Sequence, residues 1–195
     1  MSPLIGSLAG MSARGYGDLL SKSGGSPIAG AYDALATITV PSGGTSSITF
    51  SGIPSTYTHL QVRYTTQVST GGVLRLNVNG DSTYTNYSSH ALYGTGSSYG
   101  AFSDTGSSYT FMDVGQAPTG TSYAAGIVDI LDYASLVKNK TFRTFNGHDE
   151  NGAGWISMYS SAWYNSSTAI NQLTFTVNSS GNFNQYSQFA LYGVK

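Results

Sequence analysis

Residues 74–80 read Leu-Arg-Leu-Asn-Val-Asn-Gly, and this short segment decides the fold class. Its apolar side chains stand at every second position, which is the pattern of a strand with one buried face and one solvent-exposed face. Asn79 and Gly80 end the segment with a residue pair that favours a type I′ turn. The segment therefore predicts a half-buried β-strand followed by a tight turn.

The same alternation recurs from residue 32 onward between turn signals. Residues 124–131 are apolar on both faces, so we expect them to form a central strand that is covered on both sides. Residues 81–110 are typical of a loop-rich stretch, and residues 133–138 are the one candidate for a helical turn. About nine short strands without alternating helices predict an all-β, jelly-roll-like antiparallel β-sandwich. The other predicted strands cover residues 38–40, 48–50, 60–64, 140–145, 155–164, 171–177 and 187–192.

The composition excludes several classes of protein. Only 9% of the residues are charged while 15 are Tyr and 8 are Phe, which does not fit a disordered chain. A net charge of −1 gives no electrostatic reason to expect nucleic acid as a partner. No apolar run approaches the ~20 residues that span a bilayer, and the absence of Cys excludes disulfides. We therefore expect no nucleic acid, no membrane and no cofactor.

Residues 1–31 differ from residues 32–195 and predict an extended N-terminal arm before the sandwich domain. Repeated glycines make a stable helix unfavourable there, because each costs about 1 kcal/mol relative to Ala. The segment is either a frayed terminus or an arm that orders against a partner, and its apolar content favours the second interpretation. The residues expected to contact that partner are Leu4, Ile5, Leu8, Met11, Arg14 and Tyr16.

Several motifs resemble catalytic or metal sites, but each fails on spacing or context. Residues 96–100 match the G-x-S-x-G nucleophile elbow without the helix that must follow it. The segment 148–152, which holds two acidic residues, lacks the spacing of an EF-hand, and the three histidines are scattered. Asp129 and Asp132 point to opposite faces of a strand, and Asp129 needs a hydrogen-bond or charge partner there. We expect no catalytic residues and no metal site.

The segment from Trp155 to Tyr164 is the most suggestive for binding. On a regular strand, Trp155, Tyr159 and Trp163 share one face, and Ile156 and Met158 share the other. If the aliphatic face is buried, the aromatic row faces outward and suits a glycan or a neighbouring subunit. The alternative is an inverted strand whose aromatic side chains belong to the core, and the sequence does not decide between the two.

Several segments together resemble a family of short virion surface proteins of tailed phages, notably phages of cyanobacteria and other aquatic bacteria. The matching segments are residues 38–44, 47–50, 53–62, 128–133, 140–142 and 185–193. Residues 12–17, Ser-Ala-Arg-Gly-Tyr-Gly, resemble a short N-terminal motif of phage tail and virion proteins. The resemblance covers most of residues 32–194. It implies a non-enzymatic, trimeric β-sandwich on the virion surface, and it assigns no site residues.

Two functions follow from that resemblance. In the first, the chain is a capsid decoration (cement) protein whose arm lies across the major capsid protein, since no heptads or long repeats predict a fibre shaft. In the second, it is a tail-fibre or receptor-binding component whose arm docks on tail proteins while the aromatic row binds host surface glycan. A glycan-acting enzyme is a weaker alternative, because the chain shows no convincing carboxylate pair.

Overall fold

The computed structural model describes residues 30–105 and 109–195, which contain twelve β-strands. Within the described residues the helical pieces are single 3-10 turns, and none is long and apolar enough to cross a membrane. The strands are β1 (Tyr32–Thr39), β2 (Ser47–Ser51), β3 (His59–Thr66), β4 (Val73–Val78), β5 (Tyr87–Gly94), β6 (Tyr99–Thr105), β7 (Met112–Gln116), β8 (Ala124–Leu131), β9 (Lys140–Glu150), β10 (Ala153–Trp163), β11 (Gln172–Val177) and β12 (Gln188–Val194).

Two antiparallel sheets pack as a sandwich. The large sheet has the order β1-β12-β3-β8-β9-β10-β5-β6, and the small sheet has the order β2-β11-β4-β7. Strands β1-β12-β3-β8 and β2-β11-β4-β7 form the two halves of a jelly roll, because the chain passes from one sheet to the other at nearly every connection between them. The predicted all-β, jelly-roll-like antiparallel sandwich is confirmed.

Two inserted hairpins lengthen the large sheet beyond the jelly roll. The β5–β6 hairpin lies between β4 and β7 in the chain, and the β9–β10 hairpin lies between β8 and β11. Strand β9 pairs with β8, and β10 pairs with β5, so the four strands continue the sheet as one surface. We call β9, β10, β5 and β6 the hairpin extension. Strand β7, at the edge of the small sheet, packs against it.

The core lies between the sheets and follows the alternation of the strands. Leu74, Leu76 and Val78 of β4 are fully buried, as the alternation in residues 74–80 predicts. Phe189 of β12 stands at the centre, with its ring centroid 5.1 Å from that of Phe175 on the facing sheet. Each such side chain contributes roughly 1.5–3 kcal/mol by leaving water.

The turn after β4 has the geometry that the sequence predicts. Asn79 and Gly80 have φ angles of 53° and 67°, as a type I′ turn requires at both central positions. The Asp81 amide donates to the Val78 carbonyl at 2.9 Å and closes the turn. The turn does not join two paired strands, however, because β4 pairs with β11 and β7.

Three expectations about local structure are wrong. Residues 81–110 contain all of β5 and β6, whose Ser, Gly and Tyr residues are held by cross-strand pairing rather than by strong strand propensity. Residues 133–138 form no helical turn; a β-turn begins at Asp132, which has a positive φ of 51°. Strand β8 is central, but only one of its faces is covered, because Ile127 is exposed.

Candidate interaction surface

Strand β10 turns its aromatic row inward. Trp163 and Tyr159 expose 1% and 3% of their surfaces, and Trp155 is half-buried. Ile156 and Met158, on the opposite face, are exposed. Of the two orientations that the sequence left open, the inverted one therefore forms, and the outward aromatic row does not. Tyr159 and Trp163 present no surface to a glycan or to a neighbouring subunit.

This inversion leaves an apolar surface on the outer face of the large sheet. The cross-strand pairs Ile127–Phe145, Phe145–Met158 and Met158–Leu92 place four apolar side chains in one row across β8, β9, β10 and β5. Ile156 lies two positions from Met158 and therefore on the same face. These five side chains, which we call the outer patch, expose between 39% and 62% of their surfaces.

A row of polar side chains borders the outer patch. Asp129, Arg143, Ser160 and His90 are consecutive cross-strand neighbours on the same four strands. Three of them, Arg143, Ser160 and His90, also line a concavity of about 630 Å³ over Met158 and Leu92. Among the described residues, the side chains of Arg143 and His90 form no hydrogen bond or ion pair. The patch therefore has an apolar centre and polar groups at one side.

Asp129 has the partner that its position requires. Gln61 Nε2 donates to Asp129 Oδ1 at 2.8 Å, and Arg63 Nε donates to Gln61 Oε1 at 2.6 Å. The Arg63 guanidinium also lies 5.4 Å and 5.2 Å from the ring centroids of Tyr32 and Tyr192. This polar and aromatic network covers β3 and β12, so the outer patch ends at β8.

The inner face of the hairpin extension rests on β7 through polar contacts. Ser161 Oγ donates to Ser89 Oγ at 3.2 Å and to the Asp113 carbonyl at 3.2 Å, and the Asp113 amide donates to Ser89 Oγ at 3.1 Å. Gln116 N donates to the side chain of Asn146 at 2.8 Å. Serine and asparagine side chains therefore add polar contacts to the apolar core, which Phe142 and Trp163 of the extension share with Met112 of β7.

Asp113 is the titratable group of that contact. Burial raises the pKa of Asp113 to about 6; the Arg75 guanidinium, whose Nε lies 3.8 Å from Asp113 Oδ1, lowers it only in part, and Asp104 raises it further. A folded-state pKa above the unfolded value means that the folded chain binds the proton more tightly. The protonated Asp113 carboxyl therefore contributes stability that is fully present below about pH 4 and is lost as the pH rises through 6.

We therefore expect an Asp113→Asn variant to be more stable than the wild type at pH 8, by about 2 kcal/mol. At pH 4 the two proteins should have nearly the same free energy of unfolding, because the wild-type carboxyl is then protonated. Urea unfolding at a series of pH values measures the difference. If the difference in free energy of unfolding between the two proteins stayed constant from pH 4 to 8, Asp113 would not have the raised pKa.

The apparent catalytic motifs do not assemble into a site. Residues 96–100 span the turn of the β5–β6 hairpin and the start of β6, where Thr95 N donates to the Ser98 carbonyl at 2.8 Å, and no helix follows. His148 Nδ1 is buried without a hydrogen-bond partner among the described residues. Asn151 and Gly152, both with positive φ, form the tight turn of the β9–β10 hairpin. Within the described residues no group of three or more potential ligands could hold a metal ion.

The predicted partner contacts of the arm lie outside the described residues. Leu4, Ile5, Leu8, Met11, Arg14 and Tyr16 therefore remain a sequence prediction. Sequence reasoning missed the outer patch, although a signal for it exists. Strands β8 and β10 carry apolar side chains at consecutive positions, so that one apolar set must be exposed wherever only one face of the sheet is covered.

A second aromatic surface lies at the inner face of the extension. The rings of Tyr93 and Trp155 stack with centroids 4.5 Å apart and an interplanar angle of 7°. The ring of Phe102 follows at 6.4 Å from that of Tyr93. Tyr93 and Trp155 are half-buried, and Phe102 exposes 36% of its surface.

Comparisons of the chain with family models, with curated proteins and with solved structures found no match.

Proposed function

We propose that this chain is a non-enzymatic structural protein on the surface of a phage virion, where it decorates the capsid and is held to the shell through residues 1–31. The observation that carries the structural role is the outer patch. The phage context is supported by the sequence resemblance, and attachment is supported by the apolar residues of the arm. Its partners in this role are the major capsid protein and further copies of itself.

The outer patch supports assembly rather than catalysis. Five side chains that are about half exposed present on the order of 500 Å² of apolar surface, which is as large as the largest patch of a typical monomer. Such a patch with polar groups at its rim has the anatomy of a protein–protein interface. The concavity beside it is open, its lining contains no carboxylate, and among the described residues no hydrogen bond joins Ser160 or Ser103 to His90. The surface is suited to burial against another protein.

A tail-fibre or receptor-binding role is the second candidate, and the Tyr93–Trp155 stack is the observation that favours it. Aromatic faces stack on sugar rings, and their polar edges remain hydrated. Trp155 is the single member of the predicted aromatic row that keeps accessible surface. In this role the chain binds host glycan at the inner face of the extension and docks on tail proteins through the arm.

Removing residues 1–30 from the chain should abolish binding to particles and leave a folded sandwich. The fold should survive because β1 begins at Tyr32 and the buried core residues of the described chain start at Val40. Co-sedimentation of the purified variant with undecorated particles measures attachment, and circular dichroism measures folding. A matched control keeps the full length and replaces Leu4, Ile5, Leu8 and Met11 with serine, which should weaken attachment in the same way.

Two outcomes would contradict the proposal. Normal decoration by the truncated chain would show that the arm is not the anchor. Quantification of the chain in intact virions distinguishes the two candidate roles, because a decoration protein is present at a copy number close to that of the shell protein. A copy number matching the tail proteins would reject the capsid role and favour the receptor-binding role.

A further inference from the structure

We propose that a second copy of this chain covers the outer patch, with the two hairpin extensions packed face to face around a two-fold axis. The axis runs parallel to the strands, midway between β9 and β10. This inference deepens the proposed function, on which it rests, by naming the partner that the outer patch takes. It replaces the trimer implied by the sequence resemblance with a dimer at this surface.

The register of the strands makes the outer patch self-complementary about that axis. The rotation exchanges β9 with β10 and β8 with β5, and it keeps each row of side chains opposite the same row of the other copy. Phe145 then faces Met158 of the second copy, and Ile127 faces Leu92 of the second copy. All four exposed apolar side chains of the central row are thereby matched with apolar partners.

The neighbouring rows match as well. On one side of the central row, Ile156 faces Gly147 of the second copy, so that a large side chain meets a position without one. On the other side, the Asp129 carboxylate faces the His90 imidazole of the second copy, and each copy contributes one such contact. Arg143 faces Ser160 of the second copy, and its long side chain can extend past the polar row to solvent.

Other orientations lose this match. A two-fold axis perpendicular to the strands would place the row of Ile156 against the row of Asp129 and Arg143. Charged groups would then be buried without partners, which costs several kcal/mol. A three-fold arrangement must join two different surfaces of neighbouring copies, because a self-complementary contact closes with two. The pattern on this sheet therefore fits a dimer.

The size of the surface is consistent with a stable contact. The apolar patch alone supplies on the order of 500 Å² per copy, whereas a stable interface needs about 800 Å² per partner. The polar row and the glycine-containing row on either side supply the remainder. Facing sheets in proteins lie about 10 Å apart, so the side chains of both outer faces can interdigitate.

Sedimentation equilibrium of the full chain tests the oligomeric state directly. We expect a dimer, and we expect the combined change Phe145→Gln and Met158→Gln to raise its dissociation constant on the order of 100-fold. A matched control changes Leu136 and Val137 to glutamine, since both are exposed apolar residues in the β8–β9 connection. The control should leave the dimer unchanged. Circular dichroism should confirm that both variants fold.

Cross-linking tests the two-fold axis. The chain has no cysteine, so single variants carry one thiol each. In the proposed dimer, residue 127 faces residue 92 of the second copy at about 10 Å, whereas the two copies of residue 127 are roughly 17 Å apart. A short bis-maleimide should therefore link an Ile127→Cys chain to a co-expressed Leu92→Cys chain far more efficiently than it links either variant to itself.

A monomer, a trimer, or a dimer unaffected by the Phe145 and Met158 changes would overturn the proposal. Equal cross-linking in the mixed and unmixed samples would overturn the two-fold arrangement. These outcomes are separate from those of the proposed function. A dimer that fails to bind particles would leave this inference standing and reject the decoration role, and a monomer that decorates particles would do the reverse.

Discussion

Replacing Trp163 with alanine should lower the free energy of unfolding by about 3–5 kcal/mol. The indole is 1% exposed and is among the largest fully buried side chains of the described residues. Its removal leaves a cavity at the end of β10, next to Lys140, whose Nζ lies 5.6 Å from the Trp163 ring centroid and donates to the Asn165 carbonyl at 2.8 Å. Lys140 is itself fully buried, so the change also takes the indole ring away from a buried ammonium group.

The same change removes one anchor of the Asp81 carboxylate. Trp163 Nε1 donates to Asp81 Oδ2 at 2.7 Å. Burial would raise the pKa of Asp81, but hydrogen bonds from Asn86, from the Thr83 amide and from Trp163 outweigh it and hold the pKa below its usual value. Losing the indole therefore weakens the turn after β4 in addition to the core.

Thermal unfolding measures the effect of the Trp163→Ala change. For a chain of this size we expect the melting temperature to fall by on the order of 10 °C. Tyr164→Ala is the matched control, because the adjacent tyrosine is 49% exposed and should cost less than about 1 kcal/mol. If both variants lost the same stability, Trp163 would not be the core residue that the structure shows.

Replacing Gly126 with alanine should be the second large change, with a loss of about 3 kcal/mol or more. A Cβ built on Gly126 lies 2.3 Å from Cζ of the Tyr64 ring, which is far inside van der Waals contact. The ring cannot move away easily, because Tyr64 is buried and stacks on Phe189 with centroids 5.2 Å apart. The methyl group must therefore displace packed side chains at the centre of the large sheet.

Gly94→Ala provides the matched control for this prediction. Gly94 is also in a strand of the large sheet, but a Cβ there lies 3.5 Å from Ile156, which is an ordinary contact. We expect its free energy of unfolding to change by no more than about 0.5 kcal/mol. Equal and small effects at the two glycines in urea unfolding would show that Tyr64 does not pack over Gly126 as closely as the structure indicates.

The two inserted hairpins explain how a jelly roll acquires the outer patch, which we propose as an association surface. In the sandwich, each inner face is covered by the other sheet, and the outer faces can be polar. The hairpin extension continues the large sheet past the small one, and β7 covers its inner face through buried apolar side chains and through serine and asparagine contacts. The outer face of the extension, together with Ile127 of β8, carries the exposed apolar row, which the second copy of the proposed dimer would remove from water.

The sequence by itself determined the class of fold and most of the strands. Residues 74–80 and residues 60–64 alternate with period two, and that pattern is local because neighbouring side chains of any strand point to opposite faces. The Asn79–Gly80 turn could also be predicted because its signal is local: Asn and Gly adopt the positive φ angles of a type I′ turn more readily than other residues. The hydrogen-bond partner that Asp129 requires was also predicted, although its identity as Gln61 was not.

Only the tertiary structure decided which surfaces are exposed. β1 pairs with β12 from the opposite end of the chain, so the strand order depends on contacts that no local pattern records. Strand β10 is apolar on both faces, and either face could have been buried. Packing against β7 buried Tyr159 and Trp163 and left Ile156 and Met158 outside, because the small sheet covers only one side of the extension. A local pattern could not decide this, since a shift of one residue in the strand register would exchange the two faces.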